Sequence, residues 1–105
     1  LVEETPDFHG RHYNSWLKYE DFYIELQTNK INEKLNHYDK NSNGIVHFCF
    51  YSEDIDYEYT RIKDLGFNKF LSKSEDDIYT VKNGRLFKIK APEGTIIEIR
   101  DSLGI

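Results

Sequence analysis

The chain has 105 residues, of which 38% are hydrophobic, 15% aromatic and 31% charged, and its net charge is −5. This length supports one domain with a modest core, to which the many aromatic rings can contribute much of the buried surface. The acidic balance argues against nucleic acid as a partner, and no apolar run approaches the roughly 20 residues of a membrane-spanning helix. The single cysteine, Cys49, cannot form an internal disulfide, and the first residues show no signal-peptide pattern. We therefore expect a cytoplasmic protein that binds neither nucleic acid nor a membrane, and the lack of Met predicts that Leu1 is not the native start.

The N-terminal part of the chain predicts strands at 14–19 and 22–27, joined by a tight turn at Glu20-Asp21. Residues 1–10 favour an irregular strand. A polar stretch that is rich in Asn and Lys follows at 29–43 and indicates a connector, with a short helical turn around 32–37. This part of the chain therefore predicts β-structure and then a linking segment.

The most clearly predicted unit spans residues 44–101. A β-branched and aromatic strand at 45–51 is followed by a helix at 54–65, with Ser52 as its N-cap and Gly66 at its C-terminal end. Strands are predicted at 67–72, 78–82, 85–91 and 95–100, and Asn83-Gly84 is predicted as a hairpin turn. The order predicts a βαβββ unit, of which the segment at 67–72 is the weakest strand.

A short internal repeat relates the two parts. Phe22–Leu26 and Thr95–Ile99 share an apolar-Glu-apolar ending, each behind a strand and a turn. We therefore predict an α+β fold of paired βαβββ modules, the first of which is incomplete. In this interpretation 1–28 is the remainder of an incomplete first module and 44–101 is the second, within a single domain.

Three ionisable residues, Glu25, His47 and Glu98, lie inside apolar strands. Strand alternation places their flanking apolar residues on the opposite face, which is expected to pack against the helix. An ionisable group in such a position is costly unless it is paired, hydrogen-bonded or bound to a metal. One imidazole and two carboxylates can bind Zn, Ni, Fe, Mn or Co. The competing interpretation is that a strand Glu faces solvent and that a strand His is packed.

The sequence resembles the vicinal-oxygen-chelate superfamily, which includes glyoxalases, bleomycin-resistance proteins and dioxygenases. The resemblance rests on His47–Tyr51, on Asp54–Asp56 and Leu65–Phe67, and on Leu86–Ile99, whose Pro92-Glu93-Gly94 turn precedes a Glu-bearing strand. Ala91 replaces the usual Asp of that turn. The similarity covers residues 44–101 well and 14–27 less specifically.

This resemblance implies a cupped sheet with a divalent metal on its concave side, held by Glu25, His47 and Glu98. It implies a glyoxalase-like lyase or isomerase, in which Glu98 or Glu25 moves a proton in an enediolate-type step on a small oxygenated substrate. We predict Trp16, Tyr51 and Arg100 as substrate-binding residues, although Trp16 also suits the core and Arg100 an exposed strand end.

Two alternatives remain open on the sequence alone. The first is a metal-free small-molecule or drug-binding protein of bleomycin-resistance type, and the second is a regulatory domain of a longer chain. An incomplete first module would leave an open sheet edge and an uncovered apolar face. We therefore predict a homodimer.

Overall fold

The computed structural model describes residues 1–39 and 41–104. The chain divides into two compact units, Leu1–Asn36 and His37–Ile105. The division falls inside the predicted connector at 29–43, of which Lys40 lies outside the described residues. The rest of this segment contains turns and an isolated bridge from Lys30 to Arg11, so the helical turn predicted at 32–37 is not present.

The first unit is an antiparallel sheet of three strands in the order β1-β2-β3. The strands are β1 (Glu3–Phe8), β2 (Arg11–Tyr19) and β3 (Phe22–Gln27). His9 and Gly10, which link β1 to β2, have φ of 48° and 74°, as a two-residue hairpin with matching twist requires. Glu20 and Asp21 form the predicted turn between β2 and β3. β1 pairs with residues 11–16 of β2. Because of this pairing, β2 begins at Arg11, three residues earlier than the sequence predicted.

The second unit has the predicted chain order of strand, helix and three strands. These elements are β4 (His47–Tyr51), α1 (Ile55–Asp64), β5 (Tyr79–Val81), β6 (Gly84–Lys90) and β7 (Ile96–Arg100). The sheet order is β4-β7-β6-β5, in which β4 and β7 are parallel and the other pairs antiparallel. The fold is therefore α+β, and among the described residues no helix is long and apolar enough to cross a membrane.

Both ends of α1 are capped by hydrogen bonds with residues that lie next to the helix in the sequence. Asp54, rather than the predicted Ser52, is the N-cap, and its Oδ1 accepts a hydrogen bond of 3.0 Å from the Tyr57 N–H. Ser52 lies two residues earlier and its Oγ accepts from the Asp54 N–H. At the other end Gly66 has φ of 94°, and the N–H groups of Gly66 and Phe67 donate to the carbonyls of Lys63 and Ile62. This is the Schellman arrangement that the glycine predicted.

The core of the second unit lies between α1 and one face of the sheet. Its buried members are Ile55, Ile62, Phe87, Ile89 and Ile99, and the partly buried Tyr59, Phe70, Ile78 and Ile97 pack against them. Alternation in β4 places Phe48 and Phe50 on this same face, in register with Ile97 and Ile99. Phe48 nevertheless remains 40% exposed, because β4 is the edge strand.

Two predicted elements differ from the structure. Residues 67–72 are not a strand and contribute only an isolated bridge between Phe70 and Ile89. The β5–β6 turn consists of Lys82 and Asn83, since Val81 pairs with Gly84. Gly84 is instead the first residue of β6, where the Leu103 carbonyl and the Arg100 guanidinium approach its Cα so closely that a Cβ atom would not fit.

Candidate functional site

The sheet of the second unit has one face on the core and one face that carries polar and charged side chains. Strand alternation places His47, Cys49 and Tyr51 of β4 on this second face, in register with Ile96, Glu98 and Arg100 of β7. Lys88 of β6 lies directly opposite Glu98. We call His47, Cys49, Lys88, Glu98 and Arg100 the polar cluster.

Glu98 is the centre of the polar cluster and is only 6% exposed. Its Oε2 lies 3.2 Å from His47 Nε2 and 3.4 Å from Lys88 Nζ, and its Oε1 lies 3.6 Å from Arg100 NH1. A buried carboxylate is stable only with such partners, since burial without them costs several kcal/mol. The structure therefore brings two of the three predicted metal ligands, His47 and Glu98, into contact.

Lys88 was not predicted from the sequence, although a usable signal was present. It stands in the middle of an apolar strand, between the buried Phe87 and Ile89. An ionisable group in such a position is costly without a partner, for Lys88 as for Glu98. Its significance depends on the pairing of β6 with β7, which strand alternation alone does not determine.

Arg100 is held in place by the residues that follow it. Its Nε donates to the Asp101 carbonyl at 3.1 Å, and NH2 donates to the Leu103 carbonyl at 2.8 Å. Asp101 in turn accepts from the N–H groups of Arg85 and Leu103. Arg100 is thus a partly buried member of the cluster rather than the free strand-end residue that the alternative interpretation described.

Cys49 lies beside Glu98 on the neighbouring strand. Its thiol donates a hydrogen bond of 3.8 Å to Glu98 Oε1. Desolvation raises the pKa of the Cys49 thiol, and the negative charge of Glu98 raises it further. The neutral thiol is therefore the favoured form, and a reactive thiolate is disfavoured.

Three predicted site residues are not members of the polar cluster: Tyr51 of the second unit, and Trp16 and Glu25 of the first unit. Tyr51 is exposed, next to Arg100. Trp16 and Glu25 are paired across β2 and β3, and Glu25 is exposed and accepts a hydrogen bond of 3.2 Å from Gln27 Nε2. Glu25 belongs to the first unit and the His47–Glu98 pair to the second, so its role as a third metal ligand stays a prediction.

Asn14 of the first unit is a polar residue that the sequence analysis missed. It is 2% exposed, and its Oδ1 has no hydrogen-bond partner among the described residues. It shares a face of the sheet with Gln27, its partner across β2 and β3. A buried acceptor without a partner costs about 1–3 kcal/mol. An Asn within a strand is ordinarily expected at an exposed position, so the burial of Asn14 could not be predicted.

The polar cluster as arranged does not fit a divalent cation. The 3.2 Å separation of His47 Nε2 and Glu98 Oε2 suits two ligands of one ion, whose bonds would each be about 2 Å. However, the Lys88 ammonium lies 3.4 Å from the same carboxylate oxygen and would repel the ion. Among residues 1–39 and 41–104, no group of three or more His, Cys, Asp or Glu side chains has an arrangement that could hold a metal.

Two surface depressions lie elsewhere on the second unit. One, of about 290 Å³, is lined by Tyr57, Thr60, Arg61, Asp64 and Leu65. The other, of about 180 Å³, is lined by Gly66, Phe67, Asn68, Lys69, Lys90 and Pro92. Neither includes a residue of the polar cluster. The cluster is therefore selected by its charges and its buried carboxylate, and not by the depth of a cavity.

The fold and the cluster together define a small α+β protein with two sheets and one described helix, and with a charged group of side chains on the polar sheet face of its second unit. Neither a family model nor a curated protein matches the chain. The crystal structure of SMU.1112c is similar to it, with a TM-score of 0.72 and 17% identity over 95% of this chain and 77% of that one. At this identity the likeness shows a shared fold alone.

Proposed function

We propose that the chain is a vicinal-oxygen-chelate domain in which residues 1–28 form the end of a first βαβββ module. The connectivity supports this: β1-β2-β3 and β5-β6-β7 are both antiparallel three-stranded meanders. The last strand of each meander carries one Glu between apolar residues, Glu25 in β3 and Glu98 in β7. This repetition extends the sequence similarity of Phe22–Leu26 and Thr95–Ile99 to the level of strand order.

The domain binds a small organic molecule at the polar cluster of the second unit, without a resident metal. The observation that carries this proposal is the ion pairing of Glu98. Its two carboxylate oxygens face Lys88 and Arg100, so the negative charge that would attract a metal ion is already balanced. The cluster still offers partly exposed donors at His47 and Lys88 and a neighbouring aromatic ring at Tyr51, which suits a ligand with both polar and flat apolar parts.

The metal content of the purified full chain tests the metal-free function. We expect substoichiometric Zn, Ni, Fe, Mn and Co by mass spectrometry, and no rise in melting temperature when these ions are added. A stoichiometric ion that is lost in both His47→Ala and Glu98→Ala would overturn the proposal. Glu93→Gln is the matched control, because Glu93 is exposed in the turn before β7 and lies outside the cluster.

A second candidate function is the metal-dependent lyase that the family resemblance implies. It is favoured by one observation, the chelating separation of His47 and Glu98. It requires Lys88 to move away from the carboxylate and further ligands to join. Turnover of the methylglyoxal–glutathione hemithioacetal by the full chain with added Zn or Ni, abolished in His47→Ala, would support this candidate over the metal-free one.

A further inference from the structure

We infer that the ligand of the polar cluster carries an anionic group, a carboxylate or a phosphate, which binds Lys88. This inference rests on the proposed small-molecule function of the same face. Beyond that function, the ligand is assigned a negative charge and a contact with Lys88.

The charge of the polar cluster favours an anionic ligand. Lys88 and Arg100 contribute two positive charges, and Glu98 contributes one negative charge. Their side chains are 27%, 15% and 8% exposed, so water screens them less than it screens residues on the open surface. The whole chain has a net charge of −5, which makes this local positive excess a departure from its general character.

The geometry of the two cations favours Lys88 over Arg100 as the residue that binds the anion. Arg100 already uses two of its nitrogens on backbone carbonyls of Asp101 and Leu103. Lys88 lies 3.4 Å from Glu98 Oε2, which is longer than the roughly 2.7–2.9 Å of a charge-assisted hydrogen bond. Its ammonium has three N–H donors that can turn toward a ligand. Lys88 is therefore the cation that can bind an incoming anion.

The surroundings of these charges favour a ligand that also has an apolar part. His47, whose side chain is 34% exposed, is next to Ile96, and Tyr51 is next to Arg100. An anionic group at Lys88 would therefore have an imidazole beside it and apolar surface at both ends of β4. This arrangement fits a ligand with an anionic head and an apolar or aromatic body.

Four probes separate the charge of the ligand from its shape. Benzoate, benzamide and benzylamine share a ring and are anionic, neutral and cationic, and inorganic phosphate tests the charge without the ring. Each is titrated into the ¹⁵N-labelled full chain, and amide shifts are followed in β4, β6 and β7. We expect benzoate to shift residues of the polar cluster at concentrations where benzamide and benzylamine do not. Competition of phosphate with benzoate would show that the site accepts a phosphate as well as a carboxylate, and failure to compete would restrict the site to carboxylates.

Charge variants on one strand face test the role of Lys88. Lys88→Gln should weaken benzoate or phosphate binding about tenfold or more, because it removes a hydrogen bond between two charged groups. Lys88→Arg retains the charge and should restore most of the binding. Lys90→Gln makes the same charge change two residues along β6 at an exposed side chain, and it should weaken binding much less, because water screens an exposed charge more than a partly buried one.

The outcomes distinguish the inference from the function on which it rests. Equal binding of benzoate and benzamide, or tighter binding of benzylamine, would overturn the anionic ligand while leaving a small-molecule site. Equal losses in Lys88→Gln and Lys90→Gln would overturn the assignment to Lys88, since only the overall charge would then matter. Shifts from none of the four probes on this face would overturn both the inference and the proposed function.

Discussion

His47 Nε2 lies 3.2 Å from Glu98 Oε2 across two parallel strands that come from opposite ends of the second unit. The two residues are not directly opposite one another, since His47 is in register with Ile96 and Glu98 with Cys49. The contact is thus a diagonal one between neighbouring strands, on the polar face of the sheet. It connects the opening strand of the βαβββ unit to its closing strand at the centre of the polar cluster.

Replacing Glu98 with Gln should lower the free energy of unfolding by about 1–3 kcal/mol. The change removes the one negative charge that Lys88 and Arg100 share, and it leaves two partly buried cations without a counter-ion. Urea denaturation of the wild type and the variant measures the effect. Glu93→Gln removes the same charge from an exposed turn and should change stability by less than about 0.5 kcal/mol. A Glu98→Gln protein as stable as wild type would contradict a structural role for this ion pairing.

Alkylation of Cys49 should be slower in the folded chain than in urea at pH 8. Desolvation and the Glu98 carboxylate both raise the pKa of the thiol, so less thiolate is present at a given pH. Glu98→Gln should move the pH midpoint of the iodoacetamide reaction downward, because it removes the negative charge. An unchanged midpoint in Glu98→Gln would leave desolvation as the only cause. The rate measured in urea serves as the reference for the unperturbed cysteine.

Asp77 should contribute stability that is lost in acid. Its carboxylate accepts hydrogen bonds from Ser72 Oγ and, at 2.5 Å, from Tyr59 Oη, and these bonds lower the pKa of Asp77. The contribution is present above the unfolded pKa of about 3.9 and disappears as the pH falls through the lower, folded pKa. Asp77→Asn should therefore be less stable than wild type at pH 7, and the difference should shrink below about pH 4. A constant difference between pH 7 and pH 2 would contradict the assigned pKa direction.

Gly84→Ala should destabilise the second unit by about 1–3 kcal/mol, as overpacking of a filled site does. The new Cβ would meet the Leu103 carbonyl and the Arg100 guanidinium, which hold the C-terminal turn against the start of β6. A chain shortened to end at Ser102 lacks the Leu103 carbonyl. Gly84→Ala made in the full-length and in the shortened chain therefore forms a double-mutant cycle. In this shorter chain Gly84→Ala should cost less, and equal costs in both chains would mean that the clash with Leu103 is not the cause.

Local sequence features accounted for much of the second unit. The helix was predicted within one residue at each end, because its apolar stripe and Gly66 are local signals. The N-cap was wrong by two residues, since Ser52 and Asp54 are both good acceptors and only the backbone geometry decides between them. The Asn83-Gly84 turn was shifted by one residue for a comparable reason. Gly84 is required by the close approach of the C-terminal residues, which are distant in sequence.

The sequence by itself determined that Glu98 and His47 lie on the polar face of their strands, because alternation along a strand depends only on neighbouring residues. It did not determine which strands are neighbours. Only the tertiary structure placed Lys88 opposite Glu98 and turned Arg100 toward its carboxylate. The Glu98 carboxylate thus lies 3.4 Å from Lys88 Nζ and 3.6 Å from Arg100 NH1, and its role as a metal ligand stays a prediction. The physical reason is that strand pairing is set by packing of the whole sheet, whereas the charge environment of Glu98 depends entirely on that pairing.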